Sequence, residues 1–246
     1  MALDEIQYPP GFGLEHVIAW GSTGLVVLDA ASQTVIKTPF DEQFLPHLQR
    51  EGHIYERFAA HGGHRGLLKY HGPYPENGIR LEYAPNHDLQ SFVQEHDVSQ
   101  QLRLRWIVQA ADALAFIHDA GVIHGDVTTA NMFLDRGMNV RLADFAGSSI
   151  DSSPLLVAVT ASHECPGNAS SAQGDIFAFG SASYEIATGQ RPYAALSEAD
   201  IQAHYRERRF PDTASLGSLG RIITTCWTGG YHDSKALVTA LRGKGQ

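Results

Sequence analysis

The hydrophobic pattern changes once along the chain, and this change limits the folds open to it. Short runs rich in β-branched and aromatic residues fill the first part, and Gly, Ser and Pro separate them, which predicts strands. The expected strands are 14–20, 25–30, 34–37, 67–70 and 79–83, with one helix over 42–60. After Pro85, apolar residues recur at spacings of three and four, which predicts a helix over 102–118. We therefore predict an α+β fold in which a small β-rich part, 1–83, precedes a larger helical part, 84–246.

The second part carries one further β element among its helices. Two short strands, 132–134 and 140–143, flank Asp135-Arg136-Gly137 and predict a hairpin. Residues 175–188 are apolar on nearly all sides, so we expect a buried helix that ends at Gly189. Further helices are expected over 198–208, 216–228 and 234–242.

Charge and cysteine usage narrow the class of protein. The 246 residues include 18 Lys and Arg against 27 Asp and Glu, a net charge of −9, which argues against general affinity for nucleic acid or anionic membranes. No apolar stretch is long enough to span a bilayer, and the N-terminal residues lack the apolar run of a signal peptide. Cys165 and Cys226 are too few for a disulfide framework and lack metal-ligand spacing. We expect a cytoplasmic protein, with the nucleus left open, and find no signal for an oligomer.

Polar and glycine motifs that suit phosphate chemistry occur in a fixed order. They are Trp20-Gly21-Ser22-Thr23-Gly24 between two strands, Lys37 at a strand end, His124-Gly125-Asp126 with Asn131, and Asp144-Phe145-Ala146-Gly147. A glycine turn lets backbone N–H groups approach phosphates, and a nearby Lys adds a positive charge. Asp126, Asn131 and Asp144 surround the predicted hairpin, and Mg²⁺ prefers such oxygen ligands. Phosphoryl transfer needs a phosphate cradle, a cation, a metal and a base, and these motifs contain candidate residues for the cradle, the cation, the metal ligands and the base.

The ordered set resembles the catalytic domain of eukaryotic protein kinases over nearly the whole chain. The resemblance implies a bilobal fold, with a small antiparallel sheet and one main helix in the N-lobe and a mostly helical C-lobe. It implies ATP and Mg²⁺ as cofactors and a protein substrate whose identity the sequence does not give. The segment Asp144–Asp151 is most similar to compact fungal kinase-like proteins. Gly174-Asp175-Ile176 and the residues up to Tyr193 are similar to the family's central C-lobe helix.

The resemblance assigns roles residue by residue. It implies Asp126, Lys37 and Glu51 as catalytic residues, and Asn131 and Asp144 as metal ligands. The ATP-binding residues that it implies are Gly21, Gly24, Val26, Val35, Lys37, Leu81, Glu82, Tyr83, Ala84, Asp88 and Phe133. Among these, Val26, Val35 and Phe133 would enclose the adenine ring. Tyr55, His124 and Phe145 would stack as the spine that marks an active arrangement.

Several positions depart from the family pattern. Ala19 replaces the first glycine of the loop, and Thr128 and Ala130 stand where Ser/Thr and Tyr kinases carry a Lys or an Arg. The loss of that cation predicts slow turnover. Gly125 replaces the Arg that a phosphorylated activation loop would pair with, so we expect activity that does not depend on such phosphorylation. Gly167 replaces a Glu whose buried Arg partner also has no counterpart, and losing both partners of a pair is often neutral.

Three functions stay open at this point. A protein kinase is favoured, with Ser/Thr ahead of Tyr, because all the implied catalytic and metal-binding residues are present. A pseudokinase that binds nucleotide or partners is the first alternative, and Ala19, Thr128 and Ala146 support it. A small-molecule kinase of the aminoglycoside type is the second, because it also uses His-Gly-Asp. The nearby His61, His64 and His71 are interpreted as structural residues.

Overall fold

A five-stranded antiparallel sheet forms the first part of the chain in the computed structural model, which describes residues 7–243. Its strands are β1 Val17–Trp20, β2 Gly24–Asp29, β3 Thr34–Pro39, β4 Tyr70–Tyr74 and β5 Gly78–Glu82, in the spatial order β1-β2-β3-β5-β4. Strands alternate their side chains between two faces. Leu25, Val27 and Ile36 pack on one face with the half-buried Phe12, while Val35 faces the main core. The sheet therefore has an outer apolar cover and an inner face toward the second lobe.

One main helix, α1 Leu45–Ala60, packs beside the sheet. A 3₁₀ turn, Glu42–Phe44, precedes it, and the Asp41 side chain accepts a hydrogen bond from the Gln43 backbone N–H. Leu48, Ile54, Tyr55 and Phe58 form the buried face at helical spacing, and Glu51 is fully buried beside them. The single helix predicted over 42–60 is thus a short turn followed by a longer helix.

The second lobe is mainly helical. Its helices are α2 Leu89–Glu95, α3 Gln100–Asp119, α4 Ala172–Thr188, α5 Glu198–Arg206, α6 Gly217–Trp227 and α7 Ser234–Arg242. Two short antiparallel pairs join them, β6 Val122–Ile123 with β9 Ser149–Ile150, and β7 Met132–Leu134 with β8 Val140–Leu142. Most residues of α4 are buried, and the helix ends at Gly189 in the left-handed conformation, φ +80°. The predicted buried helix, its glycine stop and the hairpin are therefore present.

The α+β prediction is confirmed, since the N-lobe is an antiparallel sheet with one main helix and the C-lobe is helical. The strand predicted over 67–70 is wrong in position, because Leu67 and Leu68 contact Leu142 of β8 and β4 starts at Tyr70. The division at 83 and 84 stays a prediction. Between residues 7 and 243, no helix combines the length and apolar character needed to cross a membrane.

Candidate active site

A cleft of about 400 Å³ lies between the two lobes. It gathers the predicted Gly21, Val26, Val35, Lys37, Glu51, Leu81, Glu82, Tyr83, Ala84, Asp88, Asn131, Phe133 and Asp144. Residues that the sequence did not assign to it also line the cleft, namely Ile18, Ala19, Trp20, Leu68, His87, Ala130 and Ala143. Strand β1 and the residues after β5 supply several of these, and only the tertiary structure places them in the cleft.

Two predicted residues do not line this cleft. Gly24 is buried at the start of β2, where a Cβ would lie 2.0 Å from the Thr38 carbonyl oxygen, so it allows close pairing with β3. Asp126 lies beside the cleft in the loop before β7, where Asn131 holds it. The Gly21 N–H donates to the Gly24 carbonyl oxygen at 2.8 Å, so the turn uses one of its own amides internally.

Lys37 on β3 joins the two lobes at the base of the cleft. Its Nζ donates to Glu51 Oε2 at 2.8 Å and to Asp144 Oδ1 at 2.6 Å. The second oxygen of Glu51 accepts the backbone N–H of Phe145 at 3.2 Å. Asp144 has a positive φ of +62°, a strained conformation that proteins retain mostly at functional sites. Residues distant in sequence therefore form one charged cluster.

The cluster changes the proton affinity of its members. Burial alone would lower the pKa of Lys37, but the charges of Asp144 and Glu51 outweigh it and raise that pKa, so the ammonium stays charged. The charge of Lys37 lowers the pKa of Asp144, against the effect of burial. Burial, together with the charge of Asp144, raises the pKa of Glu51 despite its contact with Lys37. The arrangement leaves a permanent cation where phosphates would enter.

Asp126 and Asn131 face each other across the loop before β7. Asn131 Nδ2 donates to Asp126 Oδ2 at 2.7 Å and to the Asp126 carbonyl oxygen at 2.9 Å. Asp126 Oδ1 is buried and has no hydrogen-bond partner among residues 7–243. Burial, with the nearby charges of Asp144 and Asp175, raises the pKa of Asp126, although His124 and Asn131 oppose the shift. One carboxylate oxygen is thus held by Asn131 and the other is buried without a partner, an exception that native proteins keep mostly for a catalytic or strained group.

These contacts also test whether the residues present fit a magnesium ion. Both hydrogen bonds of Asn131 to Asp126 come from its amide nitrogen, which leaves its carbonyl oxygen for another partner. Asp144 uses Oδ1 for Lys37 and keeps a second carboxylate oxygen, and its side chain is 46% exposed. Amide and carboxylate oxygens are ligands that Mg²⁺ accepts. Asn131 and Asp144 therefore fit the predicted metal site.

Asp175 on α4 holds the loop that carries Asp126 through hydrogen bonds to its backbone. Asp175 accepts the backbone N–H groups of His124 at 2.7 Å and Gly125 at 2.8 Å. His118 Nε2 lies 2.9 Å from the same carboxylate. The sequence placed Asp175 in a family-like helix without assigning this contact, because the partners lie about 50 residues apart in the chain.

Aromatic rings stack through the core from the loop to the sheet. The ring centroids of His124 and Phe145 lie 4.9 Å apart, and those of Phe145 and Tyr55 lie 5.4 Å apart in an edge-to-face contact. Tyr55 then stacks on Tyr70 of β4 at 5.5 Å, with ring planes 8° apart. The three predicted rings are thus in contact, and Tyr70 extends the series to the sheet. His124 Nε2 lies 3.0 Å from the Ala143 carbonyl oxygen, which indicates a structural role.

The apolar part of the cleft suits a flat heteroaromatic ring. Val26, Val35 and Phe133 line the cleft, and just after β5 the backbone N–H of Ala84 donates no hydrogen bond within the described part of the chain. Asp88 is engaged at the start of α2, where it accepts the Ser91 N–H at 2.8 Å and the Ser91 hydroxyl at 2.9 Å. Any contact of Asp88 with a ribose would compete with this cap.

The departures from the family pattern have visible structural consequences. Lys37 is the only Lys or Arg that lines the cleft among residues 7–243, and Thr128 and Ala130 supply no second cation. Gly125 has φ +77°, and a Cβ on it would lie 2.5 Å from Leu155 Cδ2. Leu155 therefore packs against the residue that replaces the phosphate-binding Arg.

Two arginine side chains hold the segment after Asp144 in place. Arg50 donates to the carbonyl oxygens of Ser148 at 3.2 Å and Pro154 at 2.6 Å. Arg57 forms two hydrogen bonds with Asp151, at 3.0 and 2.6 Å. The Ser148 hydroxyl is buried and donates to the His124 carbonyl oxygen at 2.9 Å. The buried hydroxyl of Ser148 thus stabilises the fold of this segment.

Comparison with known proteins agrees with this geometry. A family model described as protein tyrosine and serine/threonine kinase matches residues 50–235. Aurora kinase C of Mus musculus is 28% identical over 231 residues, which cover 85% of this chain and 78% of that protein. Mitogen-activated protein kinase kinase kinase 1 of Arabidopsis thaliana is 27% identical over 68% of this chain and 30% of that protein.

A third relative, the probable inactive leucine-rich repeat receptor kinase XIAO of Oryza sativa subsp. japonica, is 26% identical over 77% of this chain and 19% of that protein. The chain therefore spans most of the mouse relative but less than a third of the two plant proteins. Because the family model covers more than half of the chain, and the lobes carry the charged cluster between them, the chain belongs to the protein tyrosine and serine/threonine kinase family.

Proposed function

We propose that the protein transfers the γ-phosphate of ATP to the hydroxyl of a protein substrate, with Ser and Thr favoured over Tyr. The contact of Lys37 Nζ with both Glu51 and Asp144 carries this proposal, because it orients a permanent cation and a metal-binding carboxylate toward one cleft. When bound to Asn131 and Asp144, Mg²⁺ would neutralise phosphate charge. The protein is proposed to act in the cytoplasm.

The chain's own groups divide the remaining work. Lys37 binds phosphate oxygens, and Glu51 keeps its ammonium in place. Asp126 accepts the proton of the substrate hydroxyl while the new O–P bond forms and ADP leaves. The two hydrogen bonds from Asn131 support this role, because they hold the Asp126 loop and carboxylate in a fixed position. Turnover is proposed to fall below the usual kinase range of about 1–100 s⁻¹, because Thr128 and Ala130 stand where a second cation is usual.

A pseudokinase is the second candidate, and the missing cation at Thr128 and Ala130 is the observation in its favour. Transfer of labelled γ-phosphate to a generic protein substrate separates the two. The proposal expects slow transfer that Asp126→Asn and Lys37→Met both abolish. Nucleotide binding without any transfer would favour the pseudokinase. Transfer to aminoglycosides or choline-like compounds, but to no protein, would favour a small-molecule kinase.

A further inference from the structure

A row of aromatic rings connects the glycine turn with the start of α1. Trp20 stacks on Phe40 with ring centroids 6.0 Å apart and ring planes 15° apart. Phe40 contacts Phe44 edge to face with a centroid distance of 6.2 Å, and the centroids of Phe44 and His47 also lie 6.2 Å apart. We call Trp20, Phe40, Phe44 and His47 the aromatic row. It leads from the mouth of the cleft to the helix that carries Glu51.

The backbone reinforces the first contact of the row. The Phe40 N–H donates to the Thr23 carbonyl oxygen at 3.3 Å, which ties the glycine turn to the end of β3. Gly24 pairs with Pro39, and its Cα lies so close to β3 that a Cβ would overlap the Thr38 carbonyl. A movement of the turn toward the cleft must therefore carry Phe40 with it.

The far end of the row lies about one helical turn before Glu51 on α1. His47 precedes Glu51 by four residues, so the two lie on the same side of α1. Glu51 in turn contacts Lys37 at 2.8 Å. A shift of Phe44 against His47 would alter the start of α1 and with it the position of the Glu51 carboxylate.

We infer that Trp20 is a positioning residue that couples the closure of the glycine turn over the nucleotide phosphates to the Lys37–Glu51 pair. Trp20 is 48% exposed, so burial in the core does not account for its stacking on Phe40. The inference rests on the proposed function, because it assumes that a nucleotide enters the cleft that Trp20 helps to line. It adds a residue for which the sequence patterns gave no role.

Variants of the row test the coupling through kinetics. Trp20→Ala is expected to lower kcat by about five- to tenfold, the size of one aromatic contact, while Trp20→Phe keeps kcat within about twofold. Phe44→Ala should lower kcat similarly, and the Trp20→Ala/Phe44→Ala double variant should lose less than the product of the two. Leu104→Ala on α3, another exposed apolar residue, is the matched control and should leave kcat unchanged.

Fluorescence gives a readout that a merely structural role would not move. Trp106 and Trp227 are buried, so a change in exposed tryptophan emission on adding ADP with Mg²⁺ reports on Trp20. We expect such a change in the wild type, its loss in Trp20→Phe, and a smaller change in Phe44→Ala. Nucleotide binding and phosphate transfer that Trp20→Ala leaves unaltered would overturn the inference alone. A wild-type protein that binds no nucleotide would overturn the proposed function and this inference together.

Discussion

Replacing Gly125 by Ala tests how the chain holds its activation segment, which we define as the residues between Gly147 and Cys165. Two costs follow from the structure. Gly125 has φ +77°, and a non-glycine residue in the left-handed region costs about 1–2 kcal/mol. The new Cβ would also lie 2.5 Å from Leu155 Cδ2 and 2.8 Å from Cδ1, an overpacking that typically costs about 1–3 kcal/mol. We expect Gly125→Ala to lower the free energy of unfolding by about 2–5 kcal/mol, and activity with it.

A double-mutant cycle separates these two costs. Leu155→Ala removes the side chain that the new methyl group would strike, but it leaves the backbone strain at Gly125 in place. On the Leu155→Ala background, Gly125→Ala should therefore cost only about 1–2 kcal/mol. Urea unfolding followed by circular dichroism gives the four free energies, and phosphate transfer to a generic substrate gives the activities. Equal costs of Gly125→Ala on both backgrounds would refute the packing of Leu155 on this glycine.

Three further outcomes follow from contacts and charges. Phosphatase treatment should leave activity unchanged in a transfer assay, because Arg57 already pairs with Asp151. The transfer rate should fall as pH drops through the raised pKa of Asp126, whose carboxylate must be deprotonated to accept a proton, and a pH–rate profile without an acid limb would contradict this role. Burial, together with Arg191, lowers the pKa of His163 to about 3, so the unfolded chain binds the extra proton first. His163 should therefore not lower the free energy of unfolding above the ordinary His pKa of about 6.5, and below that pH it should lower it by up to about 1.4 kcal/mol per pH unit. In urea titrations, His163→Gln should flatten this loss.

The sequence predicted the parts of the site that lie in short, ordered motifs. The pattern placed Lys37 at a strand end, although β3 continues to Pro39, and Asn131 and Asp144 flank a hairpin, so local patterns alone placed them near one edge. Glu51 needed the resemblance, because a lone Glu on an amphipathic helix reads as a solvated residue, whereas the structure buries it fully. The charge of Lys37 offsets part of this burial, and that partner lies on another element.

The contacts that the sequence did not predict join distant residues without a motif. Strands β6 and β9 have two residues each, too few for a periodic pattern, and they pair only because α3 and the segment after Asp144 meet there. Helix α2 is seven residues long and begins at the Asp88 cap, a residue that the resemblance had assigned to ATP binding. Tertiary packing decides such elements, so a local pattern could not find them.

The departures from the family pattern compensate one another. An Arg at position 125 would need a phosphate to balance its charge, and its side chain would start where Leu155 now packs. Gly147 shows the same relation, since a Cβ there would lie 2.5 Å from Val157 Cβ. Two glycines thus make room for two aliphatic side chains of the activation segment, and apolar packing replaces an ion pair. Because such packing is insensitive to phosphorylation, this segment has no charge-dependent contact at Gly125 through which a modification could switch it.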